Sequence, residues 1–470
     1  MSAEELCFLP AVEMASKLRR REISAVELMQ AHLAQIAHAN PKVNAFVTLD
    51  EEGALAQARK ADDELRKSGP VGALHGLPIG VKDLFMTAGM RTTYASPIYA
   101  DFVPTQDHLI VEREKRAGAI ILGKTNTPEF GAGAQTFNAV FGTTLNPYDL
   151  SRTCGGSSGG SAVALACGMA ALADGSDFGG SLRAPAAWCN VAGLRPSPGR
   201  VPSFPSKLAW NTLSVHGPMA RTAADLALFM SAIAGPDPRS PIAIEQDPAL
   251  FLEPIERDFN GARVAWSRDL GYLPVDPVVT SLCESQRHVF ADLGCTVTDA
   301  HPQMRGASEI FKTLRAAKFA IDRRDELASH RDQIKQTIID NAQAGFELDG
   351  MAAMEAEERR GALWHQVREF MQDYEFMVWP VNPVEPFPAA QETLMEVGGV
   401  KMDTYVDWGA LRHVVSVVGL PSVSIPVGFT PNGLPIGLQI TGRHNQDFAV
   451  LQMAHAFEAA TGHWRRRPIL

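Results

Sequence analysis

Hydrophobic and polar positions follow a helical pattern in the first part of the chain, residues 1 to 64. Four apolar residues recur on one helical face there: Val26, Met29, Leu33 and Ile36. Ser24 and Glu27 have the spacing of a capping box at the start of this face, and Asn40-Pro41 predicts its end. We therefore expect N-terminal helices that act as scaffold.

The pattern changes between residues 70 and 220, where short apolar segments alternate with helical ones. "LPIGVKD" and "AIILGKTN" read as buried strands punctuated by glycine, whereas "DHLIVEREKRAG" reads as a helix. Such alternation is typical of βα units around a largely parallel sheet.

The last part of the chain continues the alternation and then departs from it twice. "GARVAW", a helix from about residue 276 to 293 and "CTVTDA" repeat the α/β pattern, and residues 303 to 375 are polar and helical without strand signals. We interpret this stretch as a helical excursion that covers a site. "PSVSIPVGF", a Pro431-Asn432-Gly433 turn and "LPIGLQITG" predict a hairpin, so the sheet should be mixed.

Composition adds few constraints beyond this α/β class. The chain has 470 residues, of which 46% are hydrophobic and 20% charged, as in a globular protein, and no linker-like stretch divides it. We therefore predict one extended domain. The net charge of -10 offers no basic surface for a polyanion, so we expect no direct nucleic-acid partner.

The cysteines and the N-terminus narrow the cellular setting. None of the six cysteines forms a C-x-x-C pair or has a neighbouring histidine, so we expect neither a metal site nor a disulfide framework. A secretory peptide begins with basic residues and an unbroken apolar stretch, whereas this N-terminus carries Glu4, Glu5 and Glu13. No apolar run reaches the roughly 18 to 20 residues of a membrane-spanning helix. We expect a cytoplasmic protein with no membrane partner.

Residues 155 to 183, "GGSSGGSAVALACGMAALADGSDFGGSLR", carry the candidate chemistry. A phosphate cradle is one interpretation, but the G-x-x-x-x-G-K-[ST] pattern is missing. A nucleophile elbow is a second, because G-x-S-x-G is matched at Ser157 and at Ser158, yet the preceding "NPYDLSRTC" is not the apolar strand that an elbow needs.

A third interpretation uses two serines and a lysine. Ser157 and Ser181 lie 24 residues apart, each behind a glycine pair, and the Ala-rich segment between them can form one short helix. Lys82 ends the apolar strand of "LPIGVKDLF", where burial would lower its pKa and make it a competent base. Taken singly, such residues are usually structural; their joint spacing favours chemistry.

These segments resemble the amidase signature family of serine hydrolases. The resemblance rests on "HGLPIGVKDLF", "GKTNTPEF", "FGTTLNPYDLSRTCGGSSGGSAVALACG", "GSDFGGSLRAPAAWCNVAGLRPSPGRVP", "HGPMART" and "GLPSVSIPVGF...GLPIGLQITG". It implies a large mixed, mostly parallel central sheet with helices on both faces. It also implies a single amidase domain over 1-470, with N-terminal helices (1-64), a signature core (65-225) and a second α/β part (226-470).

The resemblance further implies a Ser-cisSer-Lys triad. Ser181 would attack the carbonyl, Ser157, after a cis Gly156-Ser157 bond, would relay the proton, and Lys82 would be the base. No cofactor or metal is implied. The oxyanion would be received by the N–H groups of Phe178, Gly179, Gly180 and Ser181. We expect three supporting residues: Ser158 near Lys82, and Asp177 and Arg183 as braces of the loop.

By the same resemblance, "GAGAQTF" should line the acyl pocket. We expect small residues on its floor and aromatic residues at its rim, although small residues could equally serve close backbone packing. The candidates are Phe130, Gly131, Ala132, Gly133, Ala134, Phe137 and Trp188.

The family includes amidases of several substrate classes and an amide-transferring subunit. "GSDFGGSLRAPAAWC" departs from the transamidating subunit. We expect a stand-alone amidase, a monomer or homodimer, that cleaves a small neutral amide, aryl amide or carbamate (urethane) with water as acyl acceptor; ester cleavage is a further expectation. The alternative is an amide-transferring or catalytically silent subunit of a larger complex.

Overall fold

The fold is α/β, and the computed structural model of the chain describes residues 2–470. The helices are α1 (Ala3–Cys7), α2 (Ala11–Arg19), α3 (Ala25–Val43), α4 (Glu51–Ser68), α5 (Leu109–Arg116), α6 (Gly159–Ala166), α7 (Arg183–Trp188), α8 (Ala223–Ile233), α9 (Pro277–Glu284), α10 (Arg287–Asp292), α11 (Ala307–His330), α12 (Gln336–Phe346), α13 (Gly350–Asp373), α14 (Ala410–Val418) and α15 (Asp447–Thr461). The strands are β1 (Phe46–Leu49), β2 (Pro78–Lys82), β3 (Ile120–Thr125), β4 (Phe137–Asn138), β5 (Gly142–Thr143), β6 (Leu145–Asn146), β7 (Asp149–Thr153), β8 (Leu172–Asp177), β9 (Ala192–Arg195), β10 (Val215–Ala220), β11 (Arg263–Trp266), β12 (Thr296–Asp299), β13 (Phe376–Pro380), β14 (Glu396–Val397), β15 (Val400–Lys401), β16 (Ser422–Phe429) and β17 (Pro435–Gly442).

One sheet of 11 strands runs through the molecule in the order β1-β3-β2-β8-β10-β9-β16-β17-β13-β11-β12. The mixed α/β sheet is confirmed, but the prediction that it is mostly parallel is wrong. Parallel pairing is confined to β3-β2-β8 and β13-β11-β12. The central strands pair antiparallel. In one of these pairs, β16-β17, a short turn returns the chain directly, which parallel strands do not allow.

Helices cover both faces of this sheet. Successive side chains of a strand point to opposite faces. On β13, Phe376 and Val378 pack into the apolar cluster that includes α3, α6, α8 and α15, whereas Met377 and Trp379 pack into the cluster built with α11, α13 and α14. The sheet also contains strands from all three predicted parts of the chain, which supports the prediction of one domain. The division of that domain at residues 64 and 225 stays a prediction.

Several local predictions can be compared with the elements. The capping box of Ser24 and Glu27 is present on α3, but the helix continues past Pro41 to Val43. The Asn40 side chain then accepts hydrogen bonds from the N–H groups of Ala45 and Phe46, which ends the helix later than the sequence indicates.

The C-terminal half shows one further difference. The helix predicted over 276 to 293 is divided into α9 and α10, and the Ser285 hydroxyl donates to the Leu282 carbonyl at 2.6 Å, a local bond that competes with helix propagation. The helical excursion is confirmed as α11 to α13, and the predicted hairpin is confirmed as β16 and β17.

The carboxyl ends of two parallel neighbours determine where the candidate residues meet. β2 ends at Lys82 and β8 ends at Asp177, and the two strands pair in parallel. Their ends therefore lie at the same edge of the sheet, the usual place for a ligand site in α/β proteins. Ser157 and Ser181 lie at this edge in the turns before α6 and α7.

Within residues 2–470, no helix combines the length and apolar character that crossing a bilayer requires.

We predict that Gly160→Ala destabilises the protein. A Cβ on Gly160, in α6, would lie 2.3 Å from the Asn126 backbone nitrogen and 2.8 Å from the Ala45 carbonyl oxygen, and neither backbone atom can rotate away. Such overpacking costs about 1 to 3 kcal/mol, measurable as a lower midpoint in urea unfolding.

The matched control is Gly361→Ala in α13, where nothing lies within 4 Å of the added Cβ. Helix propensity there favours alanine by about 1 kcal/mol, so the midpoint should rise. Equal shifts for both variants would contradict the close approach of α6 to the sheet.

Candidate active site

Lys82 is completely buried and its amine contacts three serine hydroxyls. Lys82 Nζ lies 2.8 Å from Ser157 Oγ, 2.9 Å from Ser158 Oγ and 3.0 Å from Ser176 Oγ. The backbone N–H of Lys82 donates to Asp174 Oδ1 at 2.6 Å, which holds the end of β2 against β8. The amine is therefore positioned by hydroxyls, and among residues 2–470 no carboxylate forms a salt bridge with it.

Burial lowers the pKa of Lys82 to about 7, against the weaker opposing attraction of Asp174 and Asp177. An ordinary lysine is almost entirely protonated at neutral pH. Lys82 instead has a large neutral fraction under the same conditions, so its lone pair is available to accept a proton from a hydroxyl hydrogen-bonded to it.

The two glycine corners bring Ser157 and Ser181 together. The Gly156–Ser157 peptide is cis, and the Ser158 N–H donates to the Ser181 carbonyl at 3.2 Å. Both serines line one cavity, although the structure has no hydrogen bond between their hydroxyls among residues 2–470. A proton path from Lys82 through Ser157 toward Ser181 is thus partly formed. The Lys82–Ser157 hydrogen bond is present, and the hydrogen bond from Ser157 to Ser181 is not.

Asp177 organises the glycine loop around Ser181. Its carboxylate accepts from the Gly180 N–H at 2.9 Å and from the Leu182 N–H at 3.3 Å. The expectation that Gly180 donates to an oxyanion is therefore wrong for this structure, because its N–H already has an acceptor. The N–H groups of Phe178, Gly179 and Ser181 remain candidates for that role.

Two buried arginines pair with the same carboxylate. Arg183 Nε lies 3.1 Å from Asp177 Oδ2, and Arg195 Nη1 lies 3.0 Å from Asp177 Oδ1. Burial alone would raise the pKa of Asp177, but the two guanidinium groups hold it well below its usual range. Asp177 and Arg183 thus lie paired beneath the loop, and Ser158 lies against Lys82. That these three residues support the site stays a prediction.

Two cavities meet at Ser181. We call the first the arginine cavity; its volume is about 70 Å³, and its lining includes Gly131, Gly133, Ala134, Trp408 and Arg412. We call the second the histidine cavity; its volume is about 190 Å³, and its lining includes Ser157, Phe130, His108 and His216. Phe178, Gly131 and Arg315 line both cavities, so the candidate nucleophile is accessible from two sides.

The predicted pocket residues divide between these cavities and the core. Gly131, Gly133 and Ala134 line the arginine cavity and Phe130 lines the histidine cavity, but the predictions for three other residues are wrong. Ala132 packs with Leu327, Ile338 and Ala342, Phe137 lies under the Lys335 amine, and Trp188 is fully buried with its Nε1 donating to the Val384 carbonyl.

Trp408 lines the cavity where Trp188 was expected. The two indoles stack with centroids 5.9 Å apart and an angle of 8°, so Trp188 supports Trp408 from behind. Other lining residues absent from the sequence prediction include Ser176, Phe311, Arg315 and Arg412. Strand alternation around "DGSD" could have indicated Ser176; no motif marks the others.

No metal-binding cluster of three or more histidine, cysteine or carboxylate residues occurs in the part of the chain that the structure describes. All six cysteines are buried as free thiols. Burial raises the pKa of Cys154 to about 12, so this thiol near the serine loop is protonated and unreactive.

The fold and the lysine–serine arrangement are those of amidase signature hydrolases. The family model described as Amidase matches residues 27–451. The chain belongs to the amidase family, and it is an amidase-type hydrolase.

Relatives with known names share nearly the whole length. The chain is 35% identical to an acylamidase of Rhodococcus erythropolis, over 98% of this chain and 97% of that one. It is 34% identical to a glutamyl-tRNA(Gln) amidotransferase subunit of Geobacillus sp. (strain WCH70), over 97% and 98%. The solved structure of a bacterial aryl acylamidase of the amidase signature family superposes with a TM-score of 0.92 at 25% identity, covering 98% of this chain and 99% of that chain.

We predict that Asp177→Asn destabilises the protein by about 3 to 5 kcal/mol, because it leaves Arg183 and Arg195 buried without a counter-charge. Urea unfolding checks this.

Asp373→Asn is the control, since its pair with Arg263 at 3.5 Å is exposed and should change stability by less than about 1 kcal/mol. A similar small change for Asp177→Asn would show that the two arginines do not depend on this carboxylate.

Proposed function

We propose that the protein cleaves the C–N bond of a small amide, an aryl amide or a carbamate through an acyl-enzyme on Ser181. The observation that carries this proposal is the 2.8 Å hydrogen bond between Ser157 and the buried amine of Lys82, whose pKa is lowered to about 7. A base whose pKa lies near the operating pH is largely neutral there, so it can accept a proton from a hydrogen-bonded hydroxyl as that hydroxyl reacts.

In the proposed reaction, neutral Lys82 takes the proton of Ser157 while Ser157 takes that of Ser181. The Ser181 Oγ bonds to the substrate carbonyl carbon, and the carbonyl oxygen gains the negative charge. The N–H groups of Phe178, Gly179 and Ser181 are proposed to stabilise this charge. The proton then returns through Ser157 to the leaving nitrogen, the C–N bond breaks, and water repeats the sequence to release the acid.

The substrate class is supported by the relatives and by the cavities. The relatives named acylamidase and aryl acylamidase act on amides by their names. An amide occupying both cavities of this chain would carry its acyl group on one side of Ser181 and its amine on the other. Esters and urethanes present the same carbonyl to Ser181, so we propose both as further substrates.

An alternative function also has support. A relative named as an amidotransferase subunit covers 97% of this chain, so the protein could be an amide-transferring or silent subunit of a complex. Release of p-nitroaniline from anilides by the purified chain alone favours the amidase. Failure on a panel of amides, esters and carbamates favours the alternative. A monomer or homodimer in the cytoplasm stays a prediction.

We predict that the enzyme loses activity at acidic pH because Lys82 becomes protonated. Protonation removes the base, so kcat/KM for an anilide should fall below a pH of about 7 and drop about tenfold between pH 6 and pH 5. Lys82→Ala should lower activity about 10² to 10⁴-fold, because the nucleophile and the oxyanion donors remain. Circular dichroism at each pH checks folding. A rate that stays level to pH 5 would exclude a lysine base.

We predict that a fluorophosphonate modifies Ser181 and leaves Ser157 and Ser158 free, as peptide mass mapping will show. Ser157→Ala should label slowly and incompletely, because the proton path to Lys82 is interrupted, and Ser181→Ala should not label. An adduct on Ser157 or Ser158 in the wild type would reverse the proposed roles.

A further inference from the structure

Arg412 lies buried in the wall of the arginine cavity, and within the described part of the chain no carboxylate pairs with it. Its side chain is 2% exposed. Nη1 donates to the Asn382 side-chain oxygen, and Nε has no acceptor among residues 2–470. The guanidinium lies over the Trp408 ring, 4.3 Å from its centroid. The nearby carboxylate of Asp177 is already shared by Arg183 and Arg195.

A buried cation without an anion is costly, and proteins rarely keep one. Burial lowers the pKa of Arg412 to about 9, which still leaves the guanidinium protonated at neutral pH. An anionic group that enters the cavity would therefore find a desolvated, charged donor with unused N–H capacity, the setting in which charge-assisted hydrogen bonds are strongest.

The Arg412 side chain passes beside the residue that precedes Ser181, and both residues line the arginine cavity. A Cβ on Gly180, the neighbour of Ser181, would lie 2.5 Å from Arg412 Cδ, and one on Gly409 would lie 2.7 Å from Nη2, so the two glycines make room for the guanidinium. Arg315 lines the same cavity, where its Nη2 donates to the Tyr405 hydroxyl at 2.7 Å.

The cavity has the charge and size for a short acidic tail. Among the described residues that line it, none is aspartate or glutamate, so two arginines set its charge. Its volume of about 70 Å³ is about half of the roughly 150 Å³ that holds a benzene molecule, so only a short chain of a few non-hydrogen atoms fits. One or two methylene groups ending in a carboxylate form a chain of about this length.

We propose that Arg412 binds a carboxylate at the far end of the substrate's acyl group, so that the preferred substrates are monoamides of short dicarboxylic acids of about four carbons. This rests on the proposed function, which supplies Ser181 as the nucleophile. The expectation of a neutral substrate then holds for the amide being cleaved and not for its acyl tail. If Arg412 instead stabilised only the oxyanion, every substrate would depend on it equally.

A pair of anilides separates these two roles. Succinyl p-nitroanilide and 4-oxopentanoyl p-nitroanilide have equally long acyl groups with the same number of non-hydrogen atoms. The first acyl group ends in a carboxylate and the second in a methyl ketone. We expect the wild type to favour the succinyl compound about 10- to 100-fold in kcat/KM, the range of a charge-assisted hydrogen bond. Reactions without enzyme correct for spontaneous release.

Arg412→Met should remove this preference and leave the ketone compound within about threefold of wild type, while Arg412→Lys should keep part of it. The matched control is Arg360→Met. Arg360, in α13, donates to the carbonyl of Val417 in α14, the helix that carries Arg412, and it does not line the cavity. The ratio of kcat/KM for the two anilides should therefore not change in this variant. Equal kcat/KM for both anilides in the wild type, or an equal loss on both in Arg412→Met, overturns the subsite.

Calorimetry with succinate makes the subsite testable without turnover. We expect succinate to bind Ser181→Ala and to bind the double variant Ser181→Ala, Arg412→Met at least tenfold more weakly. If succinate binds in this way but no anilide is cleaved, the proposed function fails and the subsite stands. If the ketone anilide is cleaved but succinate does not bind, only the subsite fails.

Discussion

The burial of the Lys82 amine among serine hydroxyls is the interaction on which the site depends. Its three hydroxyl partners come from two separate segments: the turn before α6 supplies Ser157 and Ser158, and β8 supplies Ser176. Hydroxyls satisfy the hydrogen-bonding needs of an amine without stabilising its charge as a carboxylate would. Burial therefore lowers the pKa of Lys82, and the amine becomes able to accept a proton.

The sheet makes this arrangement possible because it juxtaposes two strands at their carboxyl ends. β2 and β8 are parallel neighbours, so Lys82 and the segment that continues into the glycine loop emerge at the same edge. α6 approaches the sheet closely enough that Gly160 leaves no room for a Cβ beside Asn126. Movement of α6 would displace Ser157 from Lys82, which couples the packing of the helix to the proposed proton path.

Charge is distributed unevenly around Ser181. Lys82 is held near neutrality by burial, whereas Arg183 and Arg195 keep their charge by sharing Asp177. Arg412 is left without such a partner in the cavity wall. The site thus combines a base that is partly neutral at neutral pH with buried positive charge in the cavity wall, which favours the proposed anionic acyl group.

Sequence patterns alone are enough to predict the α/β class, the hairpin of β16 and β17, and the candidate residues Lys82, Ser157 and Ser181, because strand periodicity and glycine corners are local signals. Tertiary structure decided the rest. The central strands proved to pair antiparallel, the Gly180 N–H proved to be engaged by Asp177, and Trp408 took the place expected for Trp188. Ser176 meets Lys82 across 94 positions, and Arg412 meets Arg183 across 229. Such contacts arise when distant strands pair and when helices pack onto the sheet. The pattern of neighbouring residues does not specify which distant side chain will occupy a given space.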